Sequence, residues 1–155
     1  MTSTDDMTKI VIRVEDQDGS VNVETPWATK VGDDIYRLEN SPFYAYSLSW
    51  LDVVRAPYSD EEQRPTFVET IEKSGHRTVR IIFDPPVEDG NDSDKRLMEL
   101  VALGCSYEGA NPSYICVDIP PDVNFDTVRG HLVRHIVNFE HADPTYEELF
   151  GSDAD

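Results

Sequence analysis

Residues 78–119 read TVRIIFDPPVEDGNDSDKRLMELVALGCSYEGANPSYICVDI, and this stretch decides the fold. Apolar residues alternate over 78–83, which predicts a strand. Residues 94–103 place apolar side chains at helical spacing and are followed by a glycine, which predicts a helix. Two further strands, at 105–108 and 114–119, flank the turn sequence GANP. The stretch therefore predicts a strand, a helix and a hairpin in succession.

A second helix is expected after the hairpin. Ser93 is the expected cap of the first helix, and Asp122 or Asn124 is the expected cap of the second, which runs to about Glu140. The apolar stripe of the second helix is Phe125, Val128, Leu132, Ile136 and Phe139. The order strand, helix, strand, strand, helix makes up most of a ferredoxin-like unit, which we assign to residues 74–142.

The first half of the chain predicts short strands only. Apolar runs separated by turn residues fall at 9–14, 21–31, 35–38, 43–48, 52–56 and 67–71. Their regular spacing favours an antiparallel β-sheet or small barrel over residues 8–73, so the fold class expected for the whole chain is α+β. Residues 1–7 and 143–155 are acidic and are expected to be tails.

The charge of the chain bears on its partners. Its 155 residues include 31 acidic and 13 basic side chains, which gives a net charge of −18. Such a surface repels phosphate backbones, so no binding of nucleic acid is expected. The same field speeds the approach of a basic protein partner. A generally acidic proteome would produce the same bias without any specific partner, and the composition does not separate the two.

Composition also bears on the location of the protein. Hydrophobic residues make up 39% of the chain, yet no apolar run approaches the length of about 18 residues that spans a membrane. The N-terminus has no apolar signal core, and two cysteines form no disulfide framework. We therefore expect a cytoplasmic protein with no membrane contact.

Several short segments together carry a family resemblance: ETPWA at 24–28, YRLENSPFYA at 36–45, DVVRA at 52–56, SGHRTVR at 74–80 and LGCSYEG at 103–109. Through them, roughly residues 9 to 140 resemble a family of small bacterial proteins known as domain of unknown function 4265. The resemblance implies a bacterial origin and no particular activity.

Histidines and cysteines supply the candidates for chemistry. His131 and His135 are four residues apart on an expected helix, a spacing that can bring two imidazoles to one metal ion. Because no third ligand is placed by the pattern, we favour boundary histidines and expect no metal and no cofactor. A turn closing on Ala110-Asn111 would put Cys105 opposite Cys116, within disulfide reach, as either a redox pair or a buried pair of reduced thiols.

His76 follows a glycine at the entrance of a strand. A nucleophilic site would pair it with Cys105 or Ser74, but nothing in the spacing requires such a pair. Aromatic residues of the first half are expected mostly in the core, while some line a groove for a peptide or ligand. The candidate ligand-binding set is Trp27, Tyr36, Phe43, Tyr44, Trp50 and His76.

Glu24 and Asp52 could form a pair of catalytic carboxylates, but acidic residues are so frequent that we expect any such pairing to be a coincidence. We expect Arg55 to bond to one of the two.

From the charge of the chain and the lack of a catalytic motif, we expect a non-catalytic protein that binds a basic partner, such as an immunity or regulatory protein. One alternative is a small-molecule-binding domain or small enzyme that uses the aromatic cluster and His76. Another is an acidic housekeeping domain whose charge has no specific role.

Overall fold

The computed structural model describes residues 7–16, 18–136 and 138–151, which divide into a first unit ending at Ser74 and a second beginning at Gly75. The first unit contains the strands β1 (Met7–Lys9), β2 (Ile12–Glu15), β3 (Val21–Glu24), β4 (Trp27–Gly32), β5 (Ile35–Leu38), β6 (Val53–Arg55), β7 (Tyr58–Ser59), β8 (Arg64–Pro65) and β9 (Glu69–Glu72). The second unit contains β10 (Arg77–Ile82), α1 (Asp92–Ala102), β11 (Ser106–Gly109), β12 (Tyr114–Ile119), α2 (Phe125–His135), β13 (Phe139–Asp143) and α3 (Tyr146–Phe150).

The first unit is built on an antiparallel sheet in the order β1-β4-β5-β6-β9. Strands β2 and β3 pair with each other, as do β7 and β8. One face of the sheet is apolar, and Leu38 and Val54 lie fully buried in its core. The expected antiparallel sheet is therefore present, and in the described residues it is open, with β1 and β9 at its edges.

Two expected strands of the first unit differ from the structure. The run at 9–14 is divided between β1 and β2, and the run at 43–48 forms no strand. Backbone N–H groups of Phe43, Tyr44 and Ala45 bond to a side-chain carboxylate instead of to a neighbouring strand. A segment whose donors are already used cannot extend a sheet.

The second unit is a four-stranded antiparallel sheet in the order β11-β12-β10-β13, with α1 and α2 packed on one face. Val79 and Val117 from the sheet meet Leu97, Leu100 and Leu132 from the helices in one core. Each of these three leucines is at most 1% exposed, and burying such a side chain contributes about 1.5–3 kcal/mol. The chain is thus an α+β protein with mostly antiparallel sheets and few helices.

The helix ends differ in part from those expected. Asn124 caps α2 as predicted, but Asn91 caps α1, because its Oδ1 accepts the N–H of Asp94 at 2.8 Å. Ser93, the expected cap, instead donates its hydroxyl to the carbonyl of Pro85 at 2.6 Å. Gly104 follows α1 with φ +111°, a conformation that side chains other than glycine rarely adopt.

The last strand, β13, was not expected from the sequence. The second helix was predicted to reach Glu140, but α2 ends at His135 and Ile136 is already extended. Phe139 fits the apolar period of the helix, which explains the error, yet its side chain packs on the core from β13. Pairing with β10 places Phe139 beside Ile81 and Glu140 beside Arg80.

The hairpin of β11 and β12 has a different register from the one predicted. The Oδ1 of Asn111 accepts the N–H groups of Ser113 and Tyr114, so the turn lies further along the chain than expected. Glu108, and not Cys105, lies opposite Cys116. The predicted and observed registers differ by three residues, and a shift by an odd number of residues places a side chain on the other face of the sheet.

The cysteines accordingly lie on opposite faces of this sheet. Cys105 belongs to the core under the helices, together with Ile115 and Val117. Cys116 lies between these two residues in β12, so its side chain is on the opposite face of the sheet. Both thiols are buried and neither forms a disulfide. The prediction that they face each other is therefore wrong, and the redox pair loses its geometric basis.

Part of the expected C-terminal tail, 143–155, is helical. Thr145 caps α3 in a reciprocal arrangement with Glu148, and α3 lies against β13 through His141. The ring of His141 is 5.7 Å from that of Tyr146 and 6.3 Å from that of Phe150. Met7 is part of β1, and residues 1–6 and 152–155 of the expected tails lie outside the described residues.

Candidate functional site

The connection between β5 and β6, residues 39–52, is the longest irregular segment in the described part of the first unit, and we name it the clamped loop. Loops of this length without secondary structure are uncommon and are usually either functional or disordered. This loop is held in place by two carboxylates, those of Glu24 and Asp52. It is therefore a candidate for a functional surface.

Glu24, the last residue of β3, holds the first half of the clamped loop. Its Oε1 accepts the N–H of Phe43 at 2.8 Å, and its Oε2 accepts those of Tyr44 and Ala45 at 2.9 and 2.8 Å. Hydrogen bonds to an ionised acceptor are roughly twice as strong as neutral ones. One side chain thus fixes three successive backbone positions without using the side chains of the loop.

Asp52 holds the second half of the clamped loop. Its side chain is 0% exposed, and its Oδ2 accepts the N–H of Ser49 at 2.8 Å and a bond from the ammonium of Lys73. Its Oδ1 accepts the N–H of Ser74 at 2.7 Å, and the hydroxyl of Ser74 donates to the carbonyl of Trp50 at 2.7 Å. Because several donors converge on this carboxylate, its burial is compensated.

Arg55 bonds neither of these carboxylates, contrary to expectation. Its Nε donates to Oε2 of Glu69 at 2.7 Å. The reason is the pairing of β6 with β9, which puts Arg55 and Glu69 directly opposite each other. Glu24 and Asp52 each have their own set of backbone donors and act as two separate holding points.

The clamped loop presents tyrosines to solvent. Tyr44 is 43% exposed and Tyr46 is 47% exposed, while Ala45 between them is buried. Tyrosine offers a large contact area with little rotamer entropy to lose, which is why it is enriched at protein interfaces. A fixed backbone with outward tyrosines is thus suited to contact another molecule.

The other aromatic candidates have different surroundings. Trp27, on β4, is 45% exposed, and the ammonium of Lys9 lies 5.3 Å from the centre of its ring. Phe43 and Trp50 are partly buried. Tyr36 is 7% exposed and belongs to the core of the first unit.

His76 belongs to the second unit, where it is paired with Asp118. Its Nδ1 lies 2.8 and 3.0 Å from the two oxygens of that carboxylate, and the hydroxyl of Ser106 donates to Oδ2 at 3.3 Å. Burial raises the pKa of Asp118, and the charge and hydrogen bond of His76 partly oppose this rise. The arrangement orients the imidazole, as a buried carboxylate does for any histidine it bonds.

The nucleophiles considered for His76 lack the expected activation. Burial raises the pKa of the Cys105 thiol to about 11, whereas a reactive cysteine needs a lowered pKa. The hydroxyl of Ser74 donates to a carbonyl of the clamped loop, and the imidazole of His76 bonds the carboxylate of Asp118.

His131 and His135 form a ring pair on α2. Their ring centres are 4.7 Å apart, and Nε2 of His131 lies 3.4 Å from Oε1 of Glu99 on α1. Burial lowers the pKa of His131, and the charge of Glu99 opposes this effect. In the described residues no cluster of three or more His, Cys, Asp or Glu side chains is placed to hold a metal ion.

A cavity of about 140 Å³ lies in the second unit where the end of β10, the start of α1 and the end of α2 meet. Asp84, Asp92, Arg96 and His135 contribute polar side chains to its wall. The sequence alone predicts no site here. These residues are spread over more than fifty positions, and the only local signal was the density of acids after Asp84.

Comparison with known proteins agrees with the fold and names no activity. A solved structure of a hypothetical protein from Neisseria gonorrhoeae is similar over 94% of this chain and 97% of that one, with a TM-score of 0.74. The two sequences are 19% identical, so the likeness concerns the fold alone. No curated protein matches the chain.

These features define an α+β protein of two units, the first of which carries the clamped loop with its exposed tyrosines. The family model Domain of unknown function (DUF4265) matches residues 24–139, and the chain belongs to that family. None of the helices in the part of the chain that the structure describes has the length and apolar character needed to cross a bilayer.

Proposed function

We propose that the protein is a non-catalytic binding module that engages a basic protein partner through the clamped loop. The observation that carries this proposal is the carboxylate of Glu24, which bonds three successive N–H groups and so holds Tyr44 and Tyr46 outward. A contact surface whose backbone is already ordered loses little entropy on binding.

The basic character of the partner follows from charge. With a net charge of −18, the chain accelerates encounter with a cationic surface and repels an anionic one. Arginine side chains stack well on tyrosine rings, and such cation–π contacts add about 0.5–2 kcal/mol each. A regulatory or immunity protein that neutralises a basic partner in the cytoplasm is the biological role that fits both features.

We also infer that the second unit is ferredoxin-like. Its elements follow the order β-α-β-β-α-β, and its strands lie in the order β11-β12-β10-β13, which support this assignment. A unit of this kind provides a scaffold and does not by itself define a function.

The test is affinity capture from the native organism followed by titration of the purified captured protein. The wild type is compared with the double variant Tyr44→Ala/Tyr46→Ala and with Tyr58→Ala. Tyr58 is 58% exposed in the same unit but lies on β7, outside the clamped loop, and serves as the matched control.

We expect a partner of high isoelectric point whose affinity falls at least about tenfold with the double variant, since interface tyrosines often contribute more than 1 kcal/mol each. Tyr58→Ala should change it less than about twofold. The proposal would be refuted if all three proteins bound equally well or if the captured partner were acidic. Either result would favour the alternative that this is a housekeeping domain whose acidic charge has no specific role.

A further inference from the structure

The cavity of the second unit lies apart from the clamped loop in the chain and has a mixed lining of its own. We propose that it binds a small zwitterion, namely a free α-amino acid with an apolar side chain. This ligand would be a second binding function, independent of the protein partner. The proposal rests on the size of the cavity, its two unpaired carboxylates, its cationic side and its apolar floor.

Two exposed aspartates line the cavity and have no cation as partner among the described residues. Asp84 follows the end of β10, and Asp92 is the first residue of α1. Among the described residues, no lysine, arginine or histidine nitrogen lies within ion-pair distance of either carboxylate. An ammonium group bound in the cavity would be attracted by both carboxylates.

The cavity also has a cationic side. Arg96 donates from Nη1 to Glu99 at 3.0 Å, which leaves the donors on Nε and Nη2 unused by the described residues. His135, at the end of α2, also lines the cavity. A planar guanidinium with two parallel donors matches the geometry of a carboxylate.

The size and the floor of the cavity limit the ligand. An engineered protein cavity of about 150 Å³ holds a benzene molecule, so 140 Å³ accommodates an apolar group of about that bulk, with the charged groups of the ligand at the polar wall. Pockets for drug-sized ligands are larger, at about 300–1,000 Å³. Phe83 and Ile136, which are 6% and 8% exposed, supply the apolar part of the lining.

An α-amino acid satisfies all of these groups at once. A simple anion would leave Asp84 and Asp92 opposing it, and a simple amine would offer no acceptor to the Nε and Nη2 donors of Arg96. An ammonium group toward the carboxylates, a carboxylate toward Arg96 and an apolar side chain toward Phe83 complement each part of the lining.

The test uses the full chain and free amino acids as probes. Alanine, valine, leucine, methionine and phenylalanine are titrated by calorimetry, and the melting temperature is followed at about 10 mM ligand, because a ligand that binds only the folded state raises it. The best amino acid is then compared with its N-acetyl derivative, which lacks the ammonium group, and with its decarboxylated amine.

Asp92→Asn and Arg96→Gln are the variants, and each has a matched control. Asp89→Asn removes a charge from the same acidic segment but does not line the cavity, and Lys95→Gln removes a positive charge from α1 at an exposed position that does not line it either. Circular dichroism establishes that all four proteins are folded. The loop variant Tyr44→Ala/Tyr46→Ala is included to separate this function from the proposed one.

We expect at least about tenfold weaker binding for both ligand derivatives and for Asp92→Asn and Arg96→Gln, the size typical of a lost charge-assisted bond. The two controls and the loop variant should stay within about twofold. The proposal is overturned if no probe binds the wild type at 10 mM, if the N-acetyl derivative binds equally well, or if the controls weaken binding as much as the variants.

Discussion

Replacing Asp52 by alanine removes the holding point of the second half of the clamped loop. The carboxylate is 0% exposed and accepts N–H groups from Ser49 and Ser74 in addition to its contact with Lys73. Alanine leaves these two backbone donors without the acceptor they now have. The free energy of unfolding of the first unit should therefore fall.

The magnitude follows from the individual bonds. A hydrogen bond to a charged acceptor is worth about 1.5–3 kcal/mol, and two such bonds are lost. The ammonium of Lys73 is 44% exposed, so its ion pair adds little, about 0–1 kcal/mol. Allowing for the burial cost that disappears with the carboxylate, we expect a loss of about 3–5 kcal/mol.

Urea denaturation at neutral pH measures this loss. Asp52→Asn keeps the shape and one acceptor oxygen and should cost less than Asp52→Ala. Asp60→Ala, at an exposed turn, should change stability by less than about 0.5 kcal/mol. If Asp52→Ala were no more harmful than Asp60→Ala, the clamped loop would not depend on this carboxylate, and our account of its order would be wrong.

Three further outcomes are expected. Gly104→Ala should lower the free energy of unfolding in a urea melt by about 1–3 kcal/mol, because the φ of Gly104 is +111° and the new Cβ would lie 2.7 Å from the side chain of Val123. Gly90→Ala should lower it less, because Gly90 has a φ of +79° but open space around the new Cβ. Mild oxidation should form no intramolecular disulfide, and a bridged species in the mass spectrum would contradict the register of the hairpin. Cys105 should react slowly with thiol reagents near pH 8 because its pKa is raised to about 11. Burial, assisted by the charge of Arg129, lowers the pKa of His141, so the folded state favours the neutral ring. The contribution of His141 to the free energy of unfolding is therefore complete above its ordinary pKa of about 6.5, and it is lost as the pH falls through the lowered pKa of the folded state. Amide exchange in α3 should accordingly be faster near pH 5 than near pH 7.5, and equal rates, after correction for intrinsic exchange, would show that α3 does not depend on His141.

The sequence predicted those elements whose signal is local. Strands β10 and β12 alternate β-branched residues, and α1 combines an apolar stripe with a terminal glycine, so each was found within a few residues of its observed bounds. Strand β13 was missed because its sequence FEHAD has little strand propensity and is held by pairing with β10. The hairpin register was wrong because the turn depends on the side chain of Asn111.

The candidate sites depended even more on distant contacts. Glu24 was noticed as an acid among many, but its bonds reach residues 19 to 21 positions away, and no spacing rule connects them. The cavity joins the end of β10 to the end of α2. His76 was singled out by its position, whereas its partner Asp118 is 42 residues away and became visible only through the pairing of β10 with β12.

The grip of Glu24 on backbone amides has an evolutionary consequence. Any residue except proline at positions 43–45 retains the three donors, so the exposed side chain at position 44 can change while the path of the chain stays the same, whereas Ala45 is fixed by its burial in the core. The shape of the surface and its chemical identity are thus encoded at separate positions. A duplicated gene could acquire a new partner through point substitutions at positions 44 and 46 while inheriting the scaffold unaltered.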